Sequence, residues 1–208
     1  MNPLLEQIYS TGIVKTADGE EHQAFPTGVN QSLAEVLYRI VRENNLKLTL
    51  EVGMAYGVST LAICQALRDN GGGKHVVIDP LQSIYYKSIG MLNLKRAGLD
   101  DLIEFYEQPS HLILPDLVRH DQKFELVFID GSHLFDYVMV DVFYSQFLVS
   151  VGGQICMDDI DKLSVSKAFA FIVRNLENLS VIEQTERFCI LRKVAEEDDR
   201  AWDHFKEF

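Results

Sequence analysis

Basic residues are scarce in this chain. Lysine and arginine total 19 against 31 aspartates and glutamates, a formal charge of −12. Sequence-independent binding to nucleic acid needs a basic face, so no nucleic-acid partner is expected. Cysteine is also rare. The three residues, Cys64, Cys156 and Cys189, are far apart and form no C-x-x-C pair, which argues against a zinc site or a disulfide framework. Cys156 and Cys189 lie in apolar runs and read as core thiols, which suits a reducing, cytoplasmic setting. No window holds the roughly 20 apolar residues of a membrane helix. The opening MNPLLEQIYSTGIV lacks the basic-then-apolar form of a secretory signal. Internal repeats and low-complexity linkers are absent.

What the chain does have is an alternation of short apolar runs and amphipathic stretches. With 208 residues, 47% of them hydrophobic, it has the size of one domain with a full core. Strands are expected at 48–52, 75–79, 103–107, 125–130 and 153–157. Helices are expected at 33–44, 59–69, 84–97, 111–119, 134–148 and 164–177. Asn30 or Ser32 can cap the first of these helices. The strands are almost continuously apolar, as in a parallel sheet covered on both faces. Two last runs, 180–184 and 188–194, are three residues apart and read as a hairpin, which makes one sheet edge antiparallel. The expectation is a doubly wound α/β domain with helices on both faces. Residues 1–25 read as polar and irregular, with one apolar cluster at Leu4, Leu5 and Ile8. Segment 1–30 is a candidate cap or lid, and 195–208 an acidic tail.

Ligands of such sheets bind outside the carboxyl ends of the strands. The first strand ends in LTLEVGMAYGVST, with Glu51, Gly53, Gly57 and Ser59 in the pattern E-x-G-x-x-x-G-x-S. A strand, a glycine turn and a helix N-terminus together suit the polar end of a nucleoside-like cofactor. The second strand ends in Asp79, placed to accept two hydrogen bonds from a ribose; capping the turn before Pro80 is the alternative. Ser110, after the third strand, can cap the next helix and meet an adenine edge, with His111 beside it. Asp130 ends the fourth strand, and Asp158 and Asp159 follow the fifth. Three such carboxylates repel one another, and a divalent cation such as Mg²⁺ would relieve this. In the alternative, Asp159 and Asp161 cap the following helix and Asp130 bonds to backbone. His133, three residues past Asp130, is a candidate general base.

These residues together resemble the class I S-adenosylmethionine-dependent methyltransferases, and among them the small O-methyltransferases of the catechol O-methyltransferase-like group and the related family with an I-D-G-x-H segment. The likeness runs from about Thr27 to Val194. It implies a single methyltransferase domain with sheet order 3-2-1-4-5-7-6. It implies that Gly53 and Gly57 line S-adenosylmethionine, Ser59 meets its carboxylate, Asp79 holds the ribose, and Ser110 and His111 flank the adenine. PSHLILPDL is the stretch that is similar to the adenine segment. Asp130 matches a residue of both the metal and the cofactor site, and Asp158 and Asp159 complete the metal set. The catechol-type enzymes carry a lysine near the position of His133 and an asparagine at that of Asp159, so this chain departs from them at both places.

The expected chemistry is transfer of a methyl group to the hydroxyl of a small molecule, with His133 and Asp130 as catalytic residues. Two alternatives stand beside it. One is a cofactor-binding or regulatory domain of the same fold. The other is a nicotinamide-dependent dehydrogenase, although its G-x-G-x-x-G fingerprint is missing. The N-terminal apolar cluster and the tail aromatics Trp202, Phe205 and Phe208 are candidates to cover a second copy in a homodimer, or to pack on their own domain.

Overall fold

The structure, a computed structural model, describes residues 2–208. Its main sheet has seven strands in the order β5-β4-β3-β6-β7-β9-β8. With the N-terminal hairpin β1–β2 set aside, this is the expected 3-2-1-4-5-7-6. The chain divides into two units, Met1–Pro109 and Ser110–Phe208.

The first unit opens with regular structure where the sequence predicts an irregular segment. Helix α1 spans Pro3–Thr11, and strands β1 (Ile13–Lys15) and β2 (Glu21–Gln23) form an antiparallel hairpin. The Asn2 side chain accepts the Leu4 amide, Pro3 opens the helix, and Gly12 ends it in the left-handed region, so both ends are chemically specified. Leu5 and Ile8 are buried. Arg96 fastens the hairpin by donating to the carbonyls of Lys15 and Thr16. This short element was missed because only two of its nine residues are buried, too few for a periodic signal.

Helix α2 (Gln31–Glu43) is capped by Asn30, whose side chain accepts the Leu33 amide at 2.9 Å. Leu33, Ala34, Leu37, Ile40 and Val41 form its buried stripe. Strand β3 (Leu48–Val52) pairs in parallel with β4 (Lys74–Ile78), and β4 with β5 (Ile103–Tyr106). The continuous burial of Thr49–Val52 and His75–Ile78 is what the unbroken apolarity implied. Helix α3 (Val58–Asp69) follows β3, and α4 (Ile89–Ala97) follows β4. The expected helix over 84–97 is thus five residues shorter. Residues 81–88 fold into turns instead, with Lys87 and Ser88 at positive φ and the Ser88 amide on the Gln82 carbonyl.

The second unit runs α5 (Ser110–Arg119), β6 (Phe124–Ile129), α6 (Phe135–Leu148), β7 (Val149–Met157), α7 (Leu163–Asn175), β8 (Leu179–Gln184) and β9 (Cys189–Lys193). Strands β6 and β7 are parallel, whereas β9 pairs antiparallel with both β7 and β8, as the hairpin reading implied. In the tail, Phe205 and Phe208 pack on Phe171 of α7, and Asn175 exchanges two hydrogen bonds with the backbone of Lys206. Trp202 is 97% exposed. All three cysteines are buried free thiols, and burial pushes Cys189 up to about 12. Among the described residues, no helix is long and apolar enough to cross a membrane.

Candidate active site

In the first unit the turn after β3 is built by glycine and held by an aspartate. Gly53 (φ +90°) and Gly57 (φ +79°) take left-handed conformations. A Cβ on Gly57 would lie 3.2 Å from both Cα and O of Gly90, so the backbone of α4 approaches as closely as glycine allows. Asp79 Oδ2 accepts the amides of Met54 (3.0 Å) and Ala55 (2.8 Å), while Oδ1 accepts that of Leu81 (2.8 Å). Gln82, which is buried, donates to Asp79 Oδ2 and to the Ala55 carbonyl. Asp79 therefore closes the loop over the glycine turn, besides capping its own turn.

Glu51 faces into the protein. It is fully buried and accepts from Ser59, from Thr60 Oγ1 at 2.6 Å and from His75 Nε2 at 3.0 Å. His75 reaches Thr49 Oγ1 through its other nitrogen at 2.8 Å. A buried carboxylate needs such donors. The knot ties the first turn of α3 to β3 and β4, so Glu51 and the Ser59 hydroxyl act here by shaping the turn. Gly57, the residue before α3, brings no side-chain cap to the helix.

The second unit gathers the acids. Asp130, at the end of β6, faces His133, with Nε2 to Oδ1 at 3.7 Å. His133 Nε2 lies 2.8 Å from Asp159 Oδ2, which also receives Lys162 Nζ. Arg187, in the β8–β9 turn, forks onto Asp158, with Nε to Oδ1 at 2.9 Å and a terminal nitrogen to Oδ2 at 2.8 Å. The same terminal nitrogen is 3.4 Å from Asp159 Oδ1. Bidentate charged pairs of this kind are the strong ones.

This environment sets the protonation states. Burial raises Asp130 to about 7 against the pull of His133. Hydrogen bonds to Asp130 and Asp159 raise His133 to about 9, so it holds its proton at neutral pH. Burial pushes Asp159 up, but His133 and Lys162 outweigh it and hold the carboxyl well below the usual range. The hydrogen bonds to Asp158 push Arg187 further up. His133, expected as the base, thus holds a proton at neutral pH, beside an Asp130 carboxyl that titrates in the same range.

The expected metal set of Asp130, Asp158 and Asp159 is not the arrangement found. Both oxygens of Asp158 are taken by Arg187. The ligand atoms that converge, within 4.8 Å of one another, belong to Asp130, His133 and Asp159. Of these, Asp159 Oδ2 already carries an ammonium and an imidazole. The residues present do not suit the divalent cation that the sequence suggested.

Ser110 and His111 open α5. Ser110 is buried and donates to Asp141 of α6, and His111 stands edge-on to Tyr137, with ring centroids 5.9 Å apart. Sequence reasoning missed Asp141, Lys162, Arg187, Gln82 and His75. Lys162 alone carried a signal, three residues past Asp159.

The methyltransferase domain family model matches residues 50–160, more than half of the chain. The chain belongs to the methyltransferase domain family. Caffeoyl-CoA O-methyltransferase 2 of Petunia hybrida is 31% identical over 101 residues, 47% of this chain and 40% of the relative. Caffeoyl-CoA O-methyltransferase of Populus kitakamiensis is 30% identical over 127 residues, 59% of this chain and 51% of the relative. The chain thus spans about half or less of the length of the curated relatives it matches. Two solved structures share the fold. The O-methyltransferase from Bacillus cereus in complex with SAH superposes with TM-score 0.74 at 18% identity, covering 93% of this chain and 91% of the other. TomG from Streptomyces achromogenes, an O-methyltransferase involved in tomaymycin synthesis solved with SAM, gives 0.75 at 19% identity, covering 94% and 91%.

Proposed function

We propose that this protein transfers the methyl group of S-adenosylmethionine to the hydroxyl oxygen of a small molecule. The family match carries the reading. It begins at residue 50 and ends at 160, so it contains every strand end just described, from Glu51 to Asp159. Relatives named as O-methyltransferases support oxygen as the atom methylated.

In this reading the turn at Gly53–Gly57 receives the methionine part of the donor, with Glu51 and Ser59 fixing the start of α3. Asp79 holds the turn and faces the ribose, and Ser110 and His111 flank the adenine. The sulfonium methyl is already reactive, so the protein mainly aligns the acceptor and excludes water. Asp130 takes the acceptor's hydroxyl proton, and protonated His133 steadies the carboxylate cluster. The sequence also leads to an expectation of magnesium assistance, and the Arg187–Asp158 pair speaks against it.

The test is a screen of hydroxylated acceptors with methyl-labelled S-adenosylmethionine. Label should appear in at least one acceptor, and Asp130→Asn should lower the rate at least tenfold. Donor binding without transfer to any acceptor class would favour a cofactor-binding domain of the same fold.

A further inference from the structure

We propose that Arg187 is the standing counter-ion of the acid cluster, in the charge-balancing place of a divalent cation, so that this chain's transfer reaction is metal-independent. The inference rests on the methyltransferase reading above and deepens it.

Register fixes the position of Arg187. Met157, the last residue of β7, pairs with Cys189, the first of β9, so the residue after one strand faces the turn before the other. The turn is stitched in place. The Ile160 amide donates to the Arg187 carbonyl at 2.7 Å, and Thr185 Oγ1 accepts the amides of Arg187 and Phe188. The guanidinium then meets Asp158 fork to fork, and Asp158 is only 3% exposed. A Mg²⁺ ion binds carboxylate oxygen at about 2.0–2.1 Å. On Asp158 it would sit against a fixed guanidinium, at a separation where like charges repel strongly.

The other two acids are also supplied. Asp159 has Lys162 and His133, and Asp130 has His133. Two of the three carboxylates thus already face a permanent cationic side chain, Asp158 the Arg187 guanidinium and Asp159 the Lys162 ammonium, which leaves little for an ion to balance. The convergence of Asp130, His133 and Asp159 does not reopen the case, because an ion there would displace the Lys162 ammonium from Asp159.

This bears on the acceptor. A metal that chelates its substrate favours two adjacent oxygen atoms. With Arg187 in its place, an acceptor needs no second, vicinal hydroxyl.

The probe is Mn²⁺, followed by electron paramagnetic resonance on the full chain with S-adenosylhomocysteine present. The wild type should show no saturable site at micromolar Mn²⁺. Arg187→Gln, which frees Asp158, should gain affinity at least tenfold. Arg187→Met, which also removes the charge but keeps the length of the side chain, repeats the test if the first variant is poorly folded. Micromolar binding in the wild type that is lost in Asp158→Asn or Asp159→Asn overturns the proposal. So does an unchanged affinity in both Arg187 variants. Calorimetry with S-adenosylhomocysteine on the same samples keeps the two readings apart, since failure of that binding removes the methyltransferase reading and not the Mn²⁺ result.

Discussion

Asp79 Oδ2 accepts the Ala55 amide at 2.8 Å, so the carboxylate ending one strand holds the glycine turn ending its neighbour. Asp79→Ala would leave the amides of Met54, Ala55 and Leu81 without their acceptor. Each buried orphan costs about 1–3 kcal/mol, and relaxation of the loop recovers part of it, so a loss of about 2–4 kcal/mol is expected in urea unfolding. S-adenosylhomocysteine affinity should fall with it. An unchanged midpoint would show that the turn holds without this clamp.

Glu51 should separate removal from neutralisation. Glu51→Ala strands the donors of Ser59, Thr60 and His75 in a dry interior and should cost about 3–5 kcal/mol. Glu51→Gln keeps one acceptor oxygen and should cost less, about 1–2 kcal/mol. Thermal unfolding of the two variants measures the difference. Equal losses would mean that charge, not hydrogen bonding, is what the site needs.

Asp141 makes stability fall with rising pH. Burial raises it to about 7, against a pull from Ser110. An unfolded aspartate titrates near 3.9. Between these values the unfolded chain has released the proton and the folded chain keeps it, so unfolding gains as pH rises. The stabilising contribution is complete below about pH 4 and lost by about pH 7. Asp141→Asn should therefore be more stable than wild type at pH 8, by about 2–4 kcal/mol, and not at pH 4. Denaturant titrations at both values check this, and a difference independent of pH would contradict it.

The rate of methyl transfer should follow the Asp130–His133 pair. It should climb as pH passes about 7, where Asp130 loses its proton, and decline above about 9, where His133 loses its own. The two limbs belong to the coupled pair. His133→Gln should remove the upper limb and Asp130→Asn the activity. A profile flat from pH 6 to pH 10 would assign proton transfer elsewhere.

Much of the framework was legible because its signals are local. The unbroken apolarity of LTLEV and HVVI announced buried parallel strands, and the three-residue gap before Phe188 announced a hairpin. The glycine turn declared itself because the backbone conformations at Gly53 and Gly57 demand glycine. The expected residues Asp130, His133, Asp158 and Asp159 do cluster within their unit. What could not be read was which partner each acid takes. Asp158 meets Arg187 across 29 residues of sequence, through a strand register that no pattern encodes. Nor could direction be read: Glu51 and Ser59 carry the residue types of a ligand contact, yet they turn toward each other. Helix α1 was hidden because its stability comes from caps and two buried residues, not from an apolar stripe.

The most direct test of the account is calorimetric titration of S-adenosylhomocysteine into the wild type and into Gly57→Val. One site per chain at micromolar affinity is expected in the wild type. That site should be lost in the variant, where a side chain meets Gly90 at a backbone conformation that valine resists. Absence of binding in the wild type, for both S-adenosylhomocysteine and S-adenosylmethionine, would contradict the account.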